Sequence, residues 1–202
     1  MPTSVAAPNL LSTLVNGVLA IRPLAKLAKQ RARDMMIQRA ESIGVYWREE
    51  VKRLQAQGAE IEFSPNWTQA LAAVKNPDLV YPDYYVTSFH AYSEGNLGWQ
   101  PAMEVEVAAK AVHARIWPAA GAAGDAQLRQ SYHDVLTAQL PIAPQAIADL
   151  GCGVGMSTET IQATFPDATL TGVDLSPYFL AVAKYRASLS SSPRSITWNH
   201  AP

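Results

Sequence analysis

The chain has 202 residues, 16 of them basic and 17 acidic, with an apolar share of 49% and one cysteine. That length can bury a sizeable core as one domain or one and a half, and the balanced charge points to neither nucleic acid nor an acidic substrate. A single thiol excludes an internal disulfide, and histidines scattered at 90, 113, 133 and 200 show no metal-ligand spacing, so no metal site is expected.

Met1 to Asn9 is polar with two prolines and reads as a disordered start. Leu10 to Gln57 follows with helical periodicity. Leu11, Leu14, Val15, Val18 and Leu19 share one face, and Met36, Ile37, Ala40 and Ile43 share another, with Pro23 and Gly44 as candidate breaks. The first 33 residues hold no acid but five bases, Arg22, Lys26, Lys29, Arg31 and Arg33. The apolar run from Leu10 to Ile21 is too short to span a bilayer, and the charges follow it instead of preceding it, unlike a secretory signal. Three readings follow: an ordinary helix packed on the rest of the protein, which is favoured; a basic amphipathic helix making peripheral contact with a membrane or a partner; and an organellar transit peptide.

Ile61 to Phe63 has the look of a short strand. Trp67 to Lys75 reads as a helix capped by Ser64 or Asn66. Tyr81 to Trp99, YPDYYVTSFHAYSEGNLGW, packs aromatics, a histidine and an acid into a loop. Pro101 to Trp117 is a helix with an apolar face of Val105, Ala108, Ala109, Val112 and Ile116, and Glu104 sits near its start as the helix dipole prefers. His113 reads as a surface or core residue and not a ligand. Pro118 to Gly124 is an Ala/Gly hinge. Asp125 should cap a second helix to Leu140, whose Leu128, Tyr132, Val135, Leu136 and Leu140 face one way.

Gln145 to Asp174 carries the chemistry. Ala146 to Leu150 is an apolar run with Asp149 near its end, the pattern of a buried parallel strand. Gly151, Gly153 and Gly155 follow at alternate positions, then a helix from Ser157 to Phe165, then a strand from Thr169 that ends on Asp174. A strand turning sharply into a helix gathers free backbone N–H groups and the positive helix end at one point. Glycines let a ligand approach that backbone. An acid about twenty residues on can accept both ribose hydroxyls. A dinucleotide site would want a small residue where Met156 stands, which disfavours a nicotinamide-dependent oxidoreductase. A glycine-rich structural turn with no ligand is the plainer alternative.

The strings IADLGCGVG and GVDLSPYFLAVAKYR, at this spacing, resemble the first two motifs of class I S-adenosylmethionine-dependent methyltransferases, and look closest to the branch that methylates quinones and other small lipids. The resemblance covers about Gln145 to Pro202. It implies S-adenosyl-L-methionine as cofactor, with Asp149, Gly151, Cys152, Gly153, Gly155, Asp174, Leu175 and Ser176 around it. Cys152 would be there as a small residue for fit, although a thiol at a helix start can be nucleophilic. It also implies a small-molecule methyl acceptor under the preceding loop, where His90, Tyr92 and Glu94 are candidates for polar contacts and Trp99 for a pocket wall. An aromatic loop that only seals the core is equally compatible with those four. No catalytic base is named.

After Asp174, Ser176-Pro177 starts a further helix, and Ser195 to Asn199 is a third strand, giving the order 3-2-1. The expected fold class is α/β: an N-terminal helical region, then the first half of a doubly wound Rossmann-like sheet. The expected divisions are 1–60, a basic helical extension; 61–144, a helical cap; and 145–202, a partial cofactor domain. Only 47 residues follow Gly155, too few for the four further strands that the resemblance implies. The sequence is therefore expected to be a fragment of a longer enzyme, with one strand edge unpaired. A cytoplasmic setting is expected, with peripheral membrane or organellar placement as variants. The rival from another class is a non-catalytic methyltransferase-like protein that acts through its basic N-terminal helices.

Overall fold

The computed structural model describes residues 22–88, 92–190 and 196–202. Helix α1 (Arg22–Ser42) starts with Pro23 in its first turn, where a missing N–H costs nothing. It ends at Gly44, whose φ of +84° lets the Val45 amide fold back to the Ala40 carbonyl at 2.9 Å. Helices α2 (Trp47–Ala56) and α3 (Asn66–Ala72) follow, then α4 (Trp99–His113), a 3-10 turn (Pro118–Ala123) and α5 (Gly124–Gln139). The C-terminal part alternates β1 (Ala146–Leu150), α6 (Met156–Thr164), β2 (Thr169–Asp174), α7 (Pro177–Ser188) and β3 (Ile196–His200). The result is α/β, as expected from the sequence. The expected hydrophobic face over residues 10–19 lies outside the described residues.

Helix α4 is the axis of the helical part. It packs on α1, α2, α5 and α7. Val107 and Ala111 join Ile37, Ala40, Val45 and Trp47 in one buried cluster. Ala102 and Met103 join Trp67, Val154, Phe179 and Val182 in a second, which ties the helical layer to the βα part. The buried face of α4 is thus not the expected one. Val105, Ala108, Ala109 and Val112 instead line a cavity between α4 and α1, and Ile116 is 54% exposed. The helix has two apolar faces, and periodicity registered only one of them.

The three strands are parallel in the order β1-β2-β3, the order expected. Register sets Ile147 beside Leu170 and Leu170 beside Ile196. This row, with Phe165, Ile161 and Leu136, forms a third cluster under α6. Farther along, Gly172 pairs with Trp198, and Asp174 with His200. Helix α7 buries Phe179 through Ala183 without a break. It lies between the sheet and helices α3 and α4, and opens to solvent only toward its end, at Lys184 and Ser188.

Several local expectations fail for physical reasons. Strand β1 is parallel but not buried: it hydrogen-bonds only to β2 among the described residues, and Leu150 on its uncovered face is 77% exposed. Residues 61–63 form bends and not a strand; Phe63 sets its ring edge against Trp99. The residue before α3 is Pro65, which caps with no side chain, while Ser64 Oγ accepts the Asn66 amide at 3.3 Å. Asp125 does not cap α5. It is buried and held by Arg129 and His113. The expected apolar face of α5 is largely open, with Tyr132 and Val135 each 62% exposed. Glu104 is buried and meets a half-buried arginine partner, not merely the helix dipole, as described next.

Candidate functional site

The strand-to-helix turn is built by three positive-φ glycines that do different work. Gly151 (φ +75°) and Cys152 both donate their amides to the Val173 carbonyl, at 2.8 and 3.0 Å, which folds the turn back over β2. A Cβ on Gly151 would meet nothing within 4 Å, and one on Gly153 (φ +56°) only the edge of Phe179 at 4.0 Å. These two glycines leave backbone open to a ligand. Gly155 (φ +79°) faces inward: a Cβ there would lie 2.7 Å from Trp198 and 3.3 Å from Ala183. Gly172 makes room for the same indole. So Gly155 and Gly172 let α6 and α7 close on the sheet over Trp198, the close helix–strand packing that a small residue at position 156 would otherwise have served.

Asp174 turns its carboxylate into the crevice above Gly153. Oδ2 accepts the Gly153 amide at 2.9 Å, and Oδ1 accepts the Ser176 amide at 2.7 Å and the Tyr85 hydroxyl at 3.5 Å. Burial pushes this carboxyl above the ordinary aspartate range, and the two amides and Tyr85 partly counter it. Burial and the neighbouring Asp174 likewise raise the Tyr85 hydroxyl, so it stays a donor. Asp149 accepts the buried Thr158 hydroxyl at 2.6 Å. Ser176 caps α7, and its hydroxyl donates to the Asn96 carbonyl at 2.6 Å. Burial, reinforced by Asp174 and Asp149, lifts the Cys152 thiol to about 12, so it has no thiolate character for nucleophilic work.

Sequence reasoning passed over the scaffold beside this crevice. His200 Nδ1 accepts the Asn76 amide at 2.8 Å, which leaves the proton on Nε2 for the Leu175 carbonyl at 3.0 Å and for Tyr81 Oη at 3.2 Å. The Tyr81 and Tyr85 rings stack at 6.0 Å. In this way the last residue of β3 pins the 76–85 segment against Asp174. No spacing in the sequence announces a contact between residues more than a hundred positions apart.

The loop candidates separate. Tyr92 donates its hydroxyl to Glu104 Oε2 at 2.9 Å, and Glu104, 2% exposed, also receives both Nε and Nη2 of Arg33. Glu94 folds against Gly98 at the start of α4, in the space a Cβ would need. Trp99 belongs to an aromatic cluster, 5.3 Å from Trp67 and 5.0 Å from Tyr178. Of these three, Tyr92 alone lines the cavity between α1 and α4. His90 lies outside the described residues. The cavity encloses about 670 Å³ and is bounded on the side of the glycine turn by Phe179 and Asn96.

Residues 147–201 match the family model described as a methyltransferase domain. This segment is similar to class I methyltransferases. The family's cofactor is S-adenosyl-L-methionine, and the open glycines and the inward carboxylate of Asp174 fit that molecule's charged sulfur nucleoside. A trans-aconitate 2-methyltransferase of Methylobacterium nodulans is 48% identical over 52 residues, which covers 25% of this chain and 20% of that relative. One from Yersinia pestis is 54% identical over 44 residues, 22% of this chain and 17% of the relative. The chain thus spans about a fifth of the length of the curated relatives it matches. No solved structure matches it. The methyltransferase match lies wholly in the βα part. The helical layer falls outside it, and Phe179 is the one cavity-lining residue that falls within it. Among the described residues no helix is long and apolar enough to cross a membrane.

Proposed function

We propose that this chain is the cofactor-binding part of an S-adenosylmethionine-dependent methyltransferase that acts on a small molecule. The observation that carries the reading is the Asp174 carboxylate turned onto the Gly153 amide beneath two glycines with free space above them. When bound, S-adenosyl-L-methionine supplies an already activated methyl group. The residues therefore serve to position and to exclude water. Asp174 would accept the ribose hydroxyls, and Tyr85 would give up its bond to Oδ1 as they arrive. Gly151 and Gly153 would carry the methionine part, with Cys152, Leu175 and Ser176 shaping the turn by their backbone. Asp149 would reach the amino group while Thr158 holds one of its oxygens. Gly155 acts from below by seating Trp198. No general base is assigned, and none is needed unless the acceptor must lose a proton.

The curated relatives are named for trans-aconitate. The aliphatic and aromatic lining beside Phe179 supports an acceptor with an apolar body, lipid- or quinone-like, more than a small polyanion. We place the protein in the cytoplasm, with residues 61–144 as a cap over the segment from 145. Calorimetric titration with S-adenosyl-L-methionine tests the reading. Binding on the order of micromolar, lost in Asp174→Ala, is expected. No heat at millimolar ligand would leave the rival, a non-catalytic protein acting through its basic N-terminal helices.

A further inference from the structure

The cavity between α1 and α4 has a direction. The two helices run parallel, since Arg33 pairs with Glu104 and, farther along, Arg39 Nε donates to the Ala111 carbonyl at 3.1 Å. Lys29, Arg33 and Met36 line it from α1, and Pro101, Val105 and Val112 from α4. At a rise of about 1.5 Å per residue these rows are roughly 10 and 16 Å long. The space is therefore a trough and not a sphere, and its middle is apolar.

The two ends differ in chemistry. At one end Lys29 Nζ donates to the neutral Ser88 hydroxyl at 2.6 Å. The nearby Arg33 is neutralised by Glu104, so this end keeps a positive charge. Tyr92, Asn96 and Phe179 adjoin it, and Phe179 borders the crevice over Gly153. At the other end is Trp47, which packs with Ile37, Ala40, Val107 and Ala111 near the far end of α1. It lines the trough and is 2% exposed, yet its indole N–H has no acceptor among the described residues. Buried donors are nearly always satisfied, so an orphaned one beside a cavity of this size is a ligand contact in waiting.

We propose that the trough binds an elongated small molecule with an apolar middle, an anionic group at the Lys29 end and a hydrogen-bond acceptor at the Trp47 end. Binding itself does not depend on methyl transfer. That the anionic end is the one presented to the methyl donor rests on the preceding reading.

The test uses the whole chain with ω-hydroxydodecanoate, dodecanoate and tricarballylate as probes, and follows the indole N–H resonance of Trp47, assigned from its loss in Trp47→Phe. The hydroxy acid should shift that resonance saturably and bind about tenfold tighter than dodecanoate, the worth of one satisfied buried donor. Trp47→Phe should erase that tenfold preference, and Lys29→Met should weaken both chains alike. Ala108→Phe, or the milder Ala109→Leu, should abolish binding while the folded circular dichroism spectrum persists. An unmoved Trp47 resonance, an unchanged affinity in both filled variants, or tighter binding of the tricarboxylate would overturn the proposal. Titration of the same sample with S-adenosyl-L-methionine reads the cofactor crevice separately, so failure of one site is distinguishable from failure of the other.

Discussion

The crevice over Gly153 and the trough between α1 and α4 lie on either side of Phe179, and their polar groups are settled differently. In the crevice both oxygens of Asp174 are engaged by the chain's own donors, two backbone amides and Tyr85. In the trough the deeply buried Trp47, at the far end, has an indole donor with no acceptor among the described residues. A ligand entering the crevice exchanges hydrogen bonds almost one for one, so its net gain is small and hangs on geometry. A ligand entering the trough gains from removing apolar surface from water, which is large and tolerant of shape. On the proposed reading, the first would recognise a fixed nucleoside and the second would draw its affinity from a less polar molecule.

The largest expected effect attacks the trough wall. Glu104 is buried and answers Arg33, Tyr92 and Gln100. Glu104→Ala removes the acceptor and leaves Arg33 facing a hole. Breaking a buried ion pair costs about 3–5 kcal/mol, and about 3 is expected here because Arg33 keeps a third of its side chain in water. Urea unfolding measures it. Cofactor affinity in the folded fraction should be unchanged, and a parallel loss of both would mean that the two sites are one.

Next come the glycines, which divide the crevice into lining and support. Gly155→Ala forces a methyl into Trp198 at positive φ and should destabilise by about 2 kcal/mol. Gly151→Ala meets open space, costs about 1 kcal/mol for its φ, and places its methyl where the ligand approaches. Weaker donor binding is expected for Gly151→Ala, mainly lower stability for Gly155→Ala. The reverse pattern would redraw the site.

Smaller still is the effect of removing the crevice's internal competitor. Tyr85→Phe frees Asp174 Oδ1 from a long 3.5 Å bond. S-adenosyl-L-methionine should then bind a few-fold more tightly, about 0.5–1 kcal/mol. Weaker binding in calorimetry would make Tyr85 a ligand contact instead of a placeholder. Since burial holds the Asp174 carboxyl above its usual range, affinity should also fall on acidification sooner than an ordinary aspartate would allow.

The same contrast explains what could be read from the residues alone. The crevice was legible because its demands are local: an acid at a strand end and glycines at a turn stand at fixed offsets. Even there the spacing did not separate Gly155, which seats Trp198, from Gly151, which faces open space. The trough was half legible. Val105, Ala108, Ala109 and Val112 were found as an apolar stripe, but periodicity records that a face is apolar and not whether protein fills it. The partners of Glu104 and His200 were not legible at all. Arg33 lies 71 positions away and Asn76 lies 124 away, and nothing in either segment marks the meeting.

An effect of similar size lies on the seam between the two regions, where α4, α6 and α7 meet. Arg186 on α7 is shared by Glu106 of α4 and Glu159 of α6, the latter at 3.4 Å, and Glu159 Oε1 finds no partner among the described residues. Burial lifts the Glu159 carboxyl to about 7, against 4.5 when free. The sign follows from which state holds the proton. Between those values the folded chain retains a proton that the unfolded chain has released, so stability is greatest at the acidic end, declines as pH rises through the window, and is level above it. The full shift would be worth about 3 kcal/mol. Arg186 favours the charged form and 31% of the Glu159 side chain is in water, so about 1 kcal/mol is expected. Glu159→Gln should flatten the slope and be the more stable protein by that amount at about pH 8, with little difference near pH 5, as read from urea midpoints. A wild-type curve that rises across this window would show that Arg186 outweighs burial, and that the helical layer and the sheet are joined there by a true ion pair.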